Sequence, residues 1–553
     1  MLLFLFSQAI QYYLDPVVVV GAPIDSVPYV VETYGEEEMK NAQDVGEYLR
    51  ENTATPFSFY GYPGSISLPV LDGISSTHTQ VMLNGIPIND PFNGGFDLSL
   101  LPVSSTGKLE VVRGAFSSFG GASGMGGVVN VVLRKREGVE ANTLLGGKGG
   151  IHTKHLSLRS GWKVKDLFLG MDGSAVIDSG YRTNTGMKGL GVHGVLEFSP
   201  VEMHVLYSYK RNGCPGPLPL DTSLGDATFP NDWMKSSFFS WDAVVRKGMV
   251  FIHPYAVRSY LFYHGDWLQE EYTSTRLGIK GGVRIENLKI SGEASVDTVE
   301  STVYSGMEKK TGVSLEYSNL FAPGLLIFNG RYAYSSLHHG NYSFTCGFVF
   351  YPVEGLKVGI SCGRGYRNPT VLELYYPGSG NPELEPEEAW FYSVTLEKWG
   401  ISLSFVETYA ERLIAYKEVE SGIFVPYNMD SVKIRSLYVR ARRNFGPLGL
   451  GASLRFSDKK DVFPGIEYCV FVEGKKDRFE GGISLRGAGE RNGLEPYRVV
   501  DAWMSARWKI LEVLIRVENV LGEEYTEFPG YGWDRGYPAP PGPRFYAGIG
   551  LKK

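Results

Sequence analysis

Residues Val81 to Lys135 read VMLNGIPINDPFNGGFDLSLLPVSSTGKLEVVRGAFSSFGGASGMGGVVNVVLRK. A short apolar strand, Val81-Met82-Leu83, runs into Asn84-Gly85, a tight-turn signal. A loop of Asn, Asp, Pro and Gly follows. A second apolar run, Leu109 to Val112, ends at Arg113-Gly114, and a Gly/Ser-rich turn over 117–127 leads into Val128 to Leu133. The stretch predicts a compact, loop-rich β unit with several positions that need glycine's conformational freedom.

Beyond about residue 138 the pattern changes to repeated alternation. Val201, Met203, Val205, Tyr207 and Tyr209 share one face of a strand, and Glu202, His204 and Ser208 the other. Leu511, Val513, Ile515 and Val517 alternate in the same way with Glu512, Arg516 and Glu518. A period of two fits any half-buried antiparallel sheet. The number of such segments, with charges on one face, points to a barrel with a wet lumen. A membrane strand takes roughly 9–11 residues, so the remaining chain suffices for about 20–24 strands with their connections. Periodicity does not choose within that range.

Composition agrees. The 553 residues carry a net charge of −6, so no basic field suggests nucleic acid. Aromatic residues reach 13%, with 34 Tyr, which suits aromatic girdles at two membrane interfaces. Mean hydropathy is −0.11, and the aliphatic run Val17 to Val20 is far too short for a spanning helix. The cysteines, Cys214, Cys346, Cys362 and Cys469, have no metal-ligand spacing. Free thiols are the simple reading, and a Cys346–Cys362 bridge is the alternative. No nucleophile–base pattern, phosphate loop or zinc motif occurs, so the chain is not expected to be an enzyme.

Residues 1–9 look like a shortened signal peptide, with an apolar run Leu2 to Phe6 before Ser7-Gln8-Ala9. Residues 10–30 are extended and punctuated by proline, 31–137 form the compact unit, and 138–553 form the barrel.

The quoted stretch resembles the plug domain of TonB-dependent outer-membrane receptors, which carries an apolar strand ending in Asp-Gly followed by "LP…IEVxRGPxSxxYG…GGVxNIxxK". Arg364-Gly-Tyr-Arg367-Asn-Pro369, Glu373-Leu-Tyr-Tyr and Gly380-Asn-Pro-Glu-Leu-Glu-Pro386 resemble a second motif of that family, inside the barrel. Arg516-Val-Glu-Asn519 with Pro541-Gly-Pro-Arg544 resembles a third. The resemblance implies about 22 strands around an N-terminal plug, in the bacterial outer membrane. It also implies energised import of a scarce micronutrient chelate of the cobalamin or ferric siderophore class. A passive plugged channel and a surface binding protein or adhesin are the alternatives. TonB, with the inner-membrane ExbB/ExbD complex, is the implied partner of a monomer. No cofactor is implied beyond iron or cobalt carried by the ligand.

Within that resemblance, Asp15, Pro16, Val17, Val18, Val19 and Val20 correspond to the TonB box. Its β-branched residues favour an extended strand that can add to a partner's sheet edge; read alone, the segment is an N-terminal edge strand. Glu110 and Arg113 match "Glu-Val-x-Arg-Gly" and are expected to anchor the plug, Arg113 being buried and in need of carboxylates. Asp72 stands where the family has Arg, so plug–barrel contacts there are expected to differ. His78 is expected to be structural. The outward plug loops supply candidate ligand contacts: Phe57, Phe59, Tyr60, Tyr62, Asn89, Pro91, Phe92 and Asn93. Asp221, Asp226 and Asp232 in one loop could hold Ca²⁺ through oxygen ligands.

Overall fold

The computed structural model describes residues 30–553, apart from 74, 115–116, 122, 221–222, 224, 267, 322–323, 421–422, 459–463, 492 and 530–534. The segment Asp15 to Val20 therefore lies outside the described residues, as does Asp221.

From Gly138 onward the chain forms one closed barrel of 22 strands, each antiparallel to its neighbours. The last strand, Arg544–Lys552, closes it by pairing with the first, Gly138–Gly147, with Ala547 opposite Leu145. Closure leaves no unpaired edge in lipid. Alternation sets the two surfaces. In Val201–Gly213 the odd positions Val201 to Tyr209 face outward, while His204, Leu206, Ser208, Lys210 and Asn212 are buried inward. In Leu511–Glu518, Leu511 and Ile515 are exposed, and Arg516 and Glu518 are buried inside. Large apolar side chains stay exposed around the barrel, among them Leu158, Trp162, Met171, Ile279, Val313 and Ile483. That surface requires a lipid solvent.

The two ends differ. At one end, two-residue turns join the strands, with left-handed φ at Lys165, Glu286, Asp477 and Lys509. Such backbones match the twist of the strands they join. The connections at the other end range from the three-residue 302–304 and 336–338 to the long 214–232, 368–386, 412–431 and 519–543. Trp233, Met234 and Lys235 begin the strand Trp233–Lys247. The segment 412–431 carries its own hairpin, Ile414–Glu420 with Ile423–Asn428.

The plug fills the lumen. Its sheet has the order Val30–Gly35, Thr106–Arg113, Gly127–Leu133, Thr79–Leu83, Ile86–Pro87. Thr79–Leu83 and Gly127–Leu133 pair in parallel and the other neighbours antiparallel. Val81, Leu83, Leu109, Val111, Val129 and Val131 form its core together with Leu206 and Phe238 of the barrel wall. Both sheet faces are covered, which explains why these strands read as continuous apolar runs. The predicted turn is present: Asn84 and Gly85 have φ of 52° and 79°. Gly127 has φ of 141°, and a Cβ there would meet the Val112 carbonyl oxygen at 2.4 Å, so only glycine fits.

Candidate functional site

The plug is seated by polar contacts rather than by an oily interface alone. Lys210 of the wall donates to Asp97, to Ser99 Oγ at 2.6 Å and to the Gly64 carbonyl at 2.8 Å. Arg516 reaches Glu47 and Glu51 of the plug helix Val45–Asn52 at 3.2 and 2.9 Å. Arg134 of the plug meets Asp172 at 3.0 Å, and His78 Nε2 lies 2.8 Å from Glu387 Oε2. Glu387 is also held by Arg367, whose guanidinium forks onto Glu373 at 2.9 and 2.9 Å.

Arg113 is buried. Its Nε donates to Glu32 at 2.9 Å and another nitrogen donates to Thr55 Oγ1 at 2.8 Å. The carboxylate partner thus comes from the plug itself, and the barrel contributes the Tyr438 ring, 4.6 Å from the guanidinium. Burial alone would raise Glu32; the charges of Arg113 and Arg440 outweigh it and hold its carboxyl below the usual range. Glu110 accepts from Lys108 at 2.7 Å and from Asn130 at 2.9 Å, bracing the sheet beside Arg113. Asp72, with φ of 54°, accepts a hydrogen bond from the Tyr438 hydroxyl. The residue that departs from the family motif is thus held to the barrel wall by Tyr438.

An open cavity, on the side of the long connections, lies between the plug loop at 87–94 and the wall. The plug contributes Gln80, Asn89, Asp90 and Pro91 to its lining, and the wall Arg276, Glu293, Lys310, Arg331, Tyr334, His338 and Asn341. Arg276 forks onto Asp297 at 2.7 and 2.8 Å. Lys310 reaches Asp297 at 2.8 Å and Glu308 at 2.9 Å, and Arg331 reaches Glu293 at 2.9 Å. Each of these three cations already holds a carboxylate. Arg276 also donates to the Pro87 carbonyl at 2.8 Å, and Ser274 donates to Asp90 at 2.9 Å, so the cavity wall grips the plug loop. Burial, against the hydrogen bonds from Phe92 N–H and Ser274, pushes the Asp90 carboxyl up.

The residues singled out from sequence separate into groups. Asn89 and Pro91 border this cavity. Asn89 shapes the loop, donating to the Thr79 and Gly94 carbonyls at 2.9 Å each. Phe92 is buried against Tyr272, ring centroids 4.6 Å apart, and Asn93 donates to the Tyr272 hydroxyl at 2.8 Å. The aromatic apex lies elsewhere and is already covered. Phe57 packs against the plug core, and Phe59 lies under Arg50 at 3.8 Å. Tyr60 packs against Phe528 and Tyr537 at 5.3 and 4.7 Å, and Tyr62 is buried. Asp226 accepts from Ser223 at 3.0 Å, and Asp232 from the Tyr263 hydroxyl at 2.5 Å. Among the described residues no group of three or more His, Cys, Asp or Glu is placed to hold a metal ion. Sequence reading missed the charged wall of the cavity. Its signal was present as polar residues at alternate positions, but their pairing depends on register between strands.

Residues 23–128 match the family model described as the TonB-dependent receptor plug domain, and residues 255–520 match the TonB-dependent receptor-like β-barrel. The vitamin B12 transporter BtuB of Vibrio vulnificus is 24% identical, over 90% of this chain and 88% of the relative. That of Photobacterium profundum is also 24% identical, over 79% and 77%. Among solved structures, the siderophore receptor PirA of Acinetobacter baumannii superimposes with a TM-score of 0.77 at 12% identity, over 96% of this chain and 99% of that one. The ferric enterobactin receptor PfeA gives 0.76 at 13% identity, over 95% and 99%. With a plug model and a barrel model matched in order, and the observed plug seated in a closed barrel of 22 strands, the chain belongs to the TonB-dependent receptor family.

Proposed function

We propose that this protein resides in the bacterial outer membrane as a monomer and imports a neutral, amide-rich metal chelate of the cobalamin class, drawing energy through TonB and its ExbB/ExbD complex. One observation carries the choice of cargo: every cation named on the cavity wall is already bound to a carboxylate. A polyanionic ferric catecholate would have to compete with Asp297, Glu308 and Glu293 for those cations, and disrupting a buried ion pair costs roughly 3–5 kcal/mol. A neutral chelate rimmed with amides can instead exchange hydrogen bonds with Gln80, Tyr334 and Asn341 and leave the pairs intact. The relatives named as vitamin B12 transporters support the same choice.

In this reading the chelate settles on the plug loop at Asp90 and Pro91. Its contact is transmitted through a plug held to the wall by polar links. The segment Asp15 to Val20 becomes available in the periplasm, where TonB adds it to a sheet edge. Pulling then displaces part of the plug. Titration of the purified protein with cyanocobalamin and with ferric enterobactin tests the cargo: tighter binding of the catecholate would refute it. Deleting residues 15–20 tests the coupling. Cargo binding should persist while uptake is lost; undiminished uptake would instead favour a passive channel.

A further inference from the structure

The barrel's outer surface is apolar where lipid meets it, but one sector near the rim is basic. A single register row runs through Lys154, Ile177, Lys188, Arg211 and Lys235, each opposite the next on the neighbouring strand. All face outward, since the alternate residues Thr153, His193, Asn212 and Ser236 are buried inside. Lys154, Lys188 and Arg211 are exposed, and Lys235 is half-buried. The next outward row toward the membrane centre is Leu156, Ala175, Leu190, Tyr209 and Ser237.

Height places the row. Lys154, Lys188 and Arg211 each lie ten residues from the short-turn end of their strand. Ten residues of a strand tilted by about 40° rise roughly 25 Å, which is the height of the apolar band on such barrels. The cations therefore stand where hydrocarbon gives way to headgroups.

Adjacency sets this sector apart: four cations stand in one row across neighbouring strands. Among the described residues, none of the four cations has a carboxylate within ion-pair reach; Arg211 lies over the Trp233 ring at 4.2 Å and Lys235 over Tyr260 at 5.5 Å. Elsewhere on the rim some outward cations are neutralised, Lys433 and Arg435 by Glu407 at 2.8 and 2.9 Å and Arg364 by Glu388 at 2.7 Å, while Lys309 and Arg498 stand singly. The basic row stops at Phe262 and Glu271, the latter accepting from Tyr260 at 3.1 Å.

We propose that Lys154, Lys188, Arg211 and Lys235 form a binding site for a phosphate-bearing lipid of the outer leaflet. Its phosphates bridge neighbouring cations, Arg211 offering a forked donor, and its acyl chains lie along Leu156, Leu158, Leu190 and Tyr207. The inference rests on the outer-membrane reading above but not on the cargo.

The test is native mass spectrometry of the full-length protein in detergent, titrated with diphosphorylated lipid A. The combined Lys154→Gln, Lys188→Gln, Arg211→Gln and Lys235→Gln variant should bind about tenfold more weakly or worse. The Lys433→Gln, Arg435→Gln variant should bind as the parent does, and lipid A stripped of phosphate should bind the parent only weakly. Retained binding by the fourfold variant, or equal binding of the stripped lipid, would overturn the proposal. Heat-modifiable mobility in gels reports that each variant barrel is folded. Cobalamin binding by the fourfold variant should be unchanged, so failure of the cargo reading and failure of the lipid site are distinguishable.

Discussion

Replacing Asp72 by Arg, the residue the family carries at that position, should loosen the plug, whereas Asp72→Asn should not. Asp72 is 1% exposed and accepts from the Tyr438 hydroxyl. Around it stand Arg113, whose guanidinium lies over the same tyrosine ring, and the fully buried Arg455, which pairs with Glu467 at 3.2 Å. An Arg at position 72 adds a third buried guanidinium with no carboxylate of its own, a cost of roughly 3–5 kcal/mol. The left-handed backbone, φ 54°, adds about 1 kcal/mol for a residue other than Gly, Asn or Asp. Asn tolerates that backbone and keeps an acceptor for Tyr438, so its cost should stay within about 1 kcal/mol. The pH dependence supplies a second readout. Burial, opposed by the Tyr438 hydrogen bond and by Arg113 and Arg455, raises the Asp72 carboxyl above its usual range. A raised carboxyl contributes stability below its unfolded pKa, and that contribution is lost as pH rises through the folded one. Asp72→Asn should flatten this part of the profile. Urea-induced plug release, followed by limited proteolysis while the barrel stays folded, measures all three proteins. Equal losses for Asn and Arg, or an Arg variant as stable as the parent, would refute the assignment of Asp72 as a buried acceptor for Tyr438 at a place with no room for a third cation.

Further perturbations probe the other contacts. Lys210→Met strips Asp97, Ser99 and the Gly64 carbonyl of their shared donor and should weaken plug retention by roughly 3 kcal/mol in the same urea assay. Burial and then the charge of Glu51 push the Glu47 carboxyl up to about 7, so its contribution to plug stability is present below about pH 4.5 and is lost towards pH 7. Glu47→Gln, which keeps an acceptor for the Gln43 N–H, should remove that slope, read as plug release against pH. Arg276→Gln should release the plug loop from the cavity wall at Pro87 and lower cobalamin affinity about tenfold by calorimetry, while the barrel's gel mobility is unchanged.

The family and the barrel were legible because they rest on local signals. Val201 to Tyr209 alternates in sequence and alternates in space, and Asn84-Gly85 turns where its chemistry says it must. The strand number was not local: it follows from closure between Arg544–Lys552 and Gly138–Gly147, and only the resemblance suggested 22. The cavity shows why site residues are harder to read. Arg276, Asp297 and Lys310 each look like one inward polar residue on one strand; they become a neutral cluster because adjacent strands pair in one register. A shift of one residue between those strands would turn the partners to opposite faces. Distance along the chain hides the rest. Phe57 to Tyr62 reads as an open aromatic apex until Phe528 and Tyr537, more than 450 residues later, are found against Tyr60. Asp72 is the intermediate case. Its departure from the family motif was visible in sequence, and that position does contact the barrel wall. Its physical meaning required Tyr438 and Arg455, two wall residues whose own sequence surroundings carry no sign of the plug. A motif can thus point to a position at which the plug meets the wall, while register alone decides which wall residues stand there.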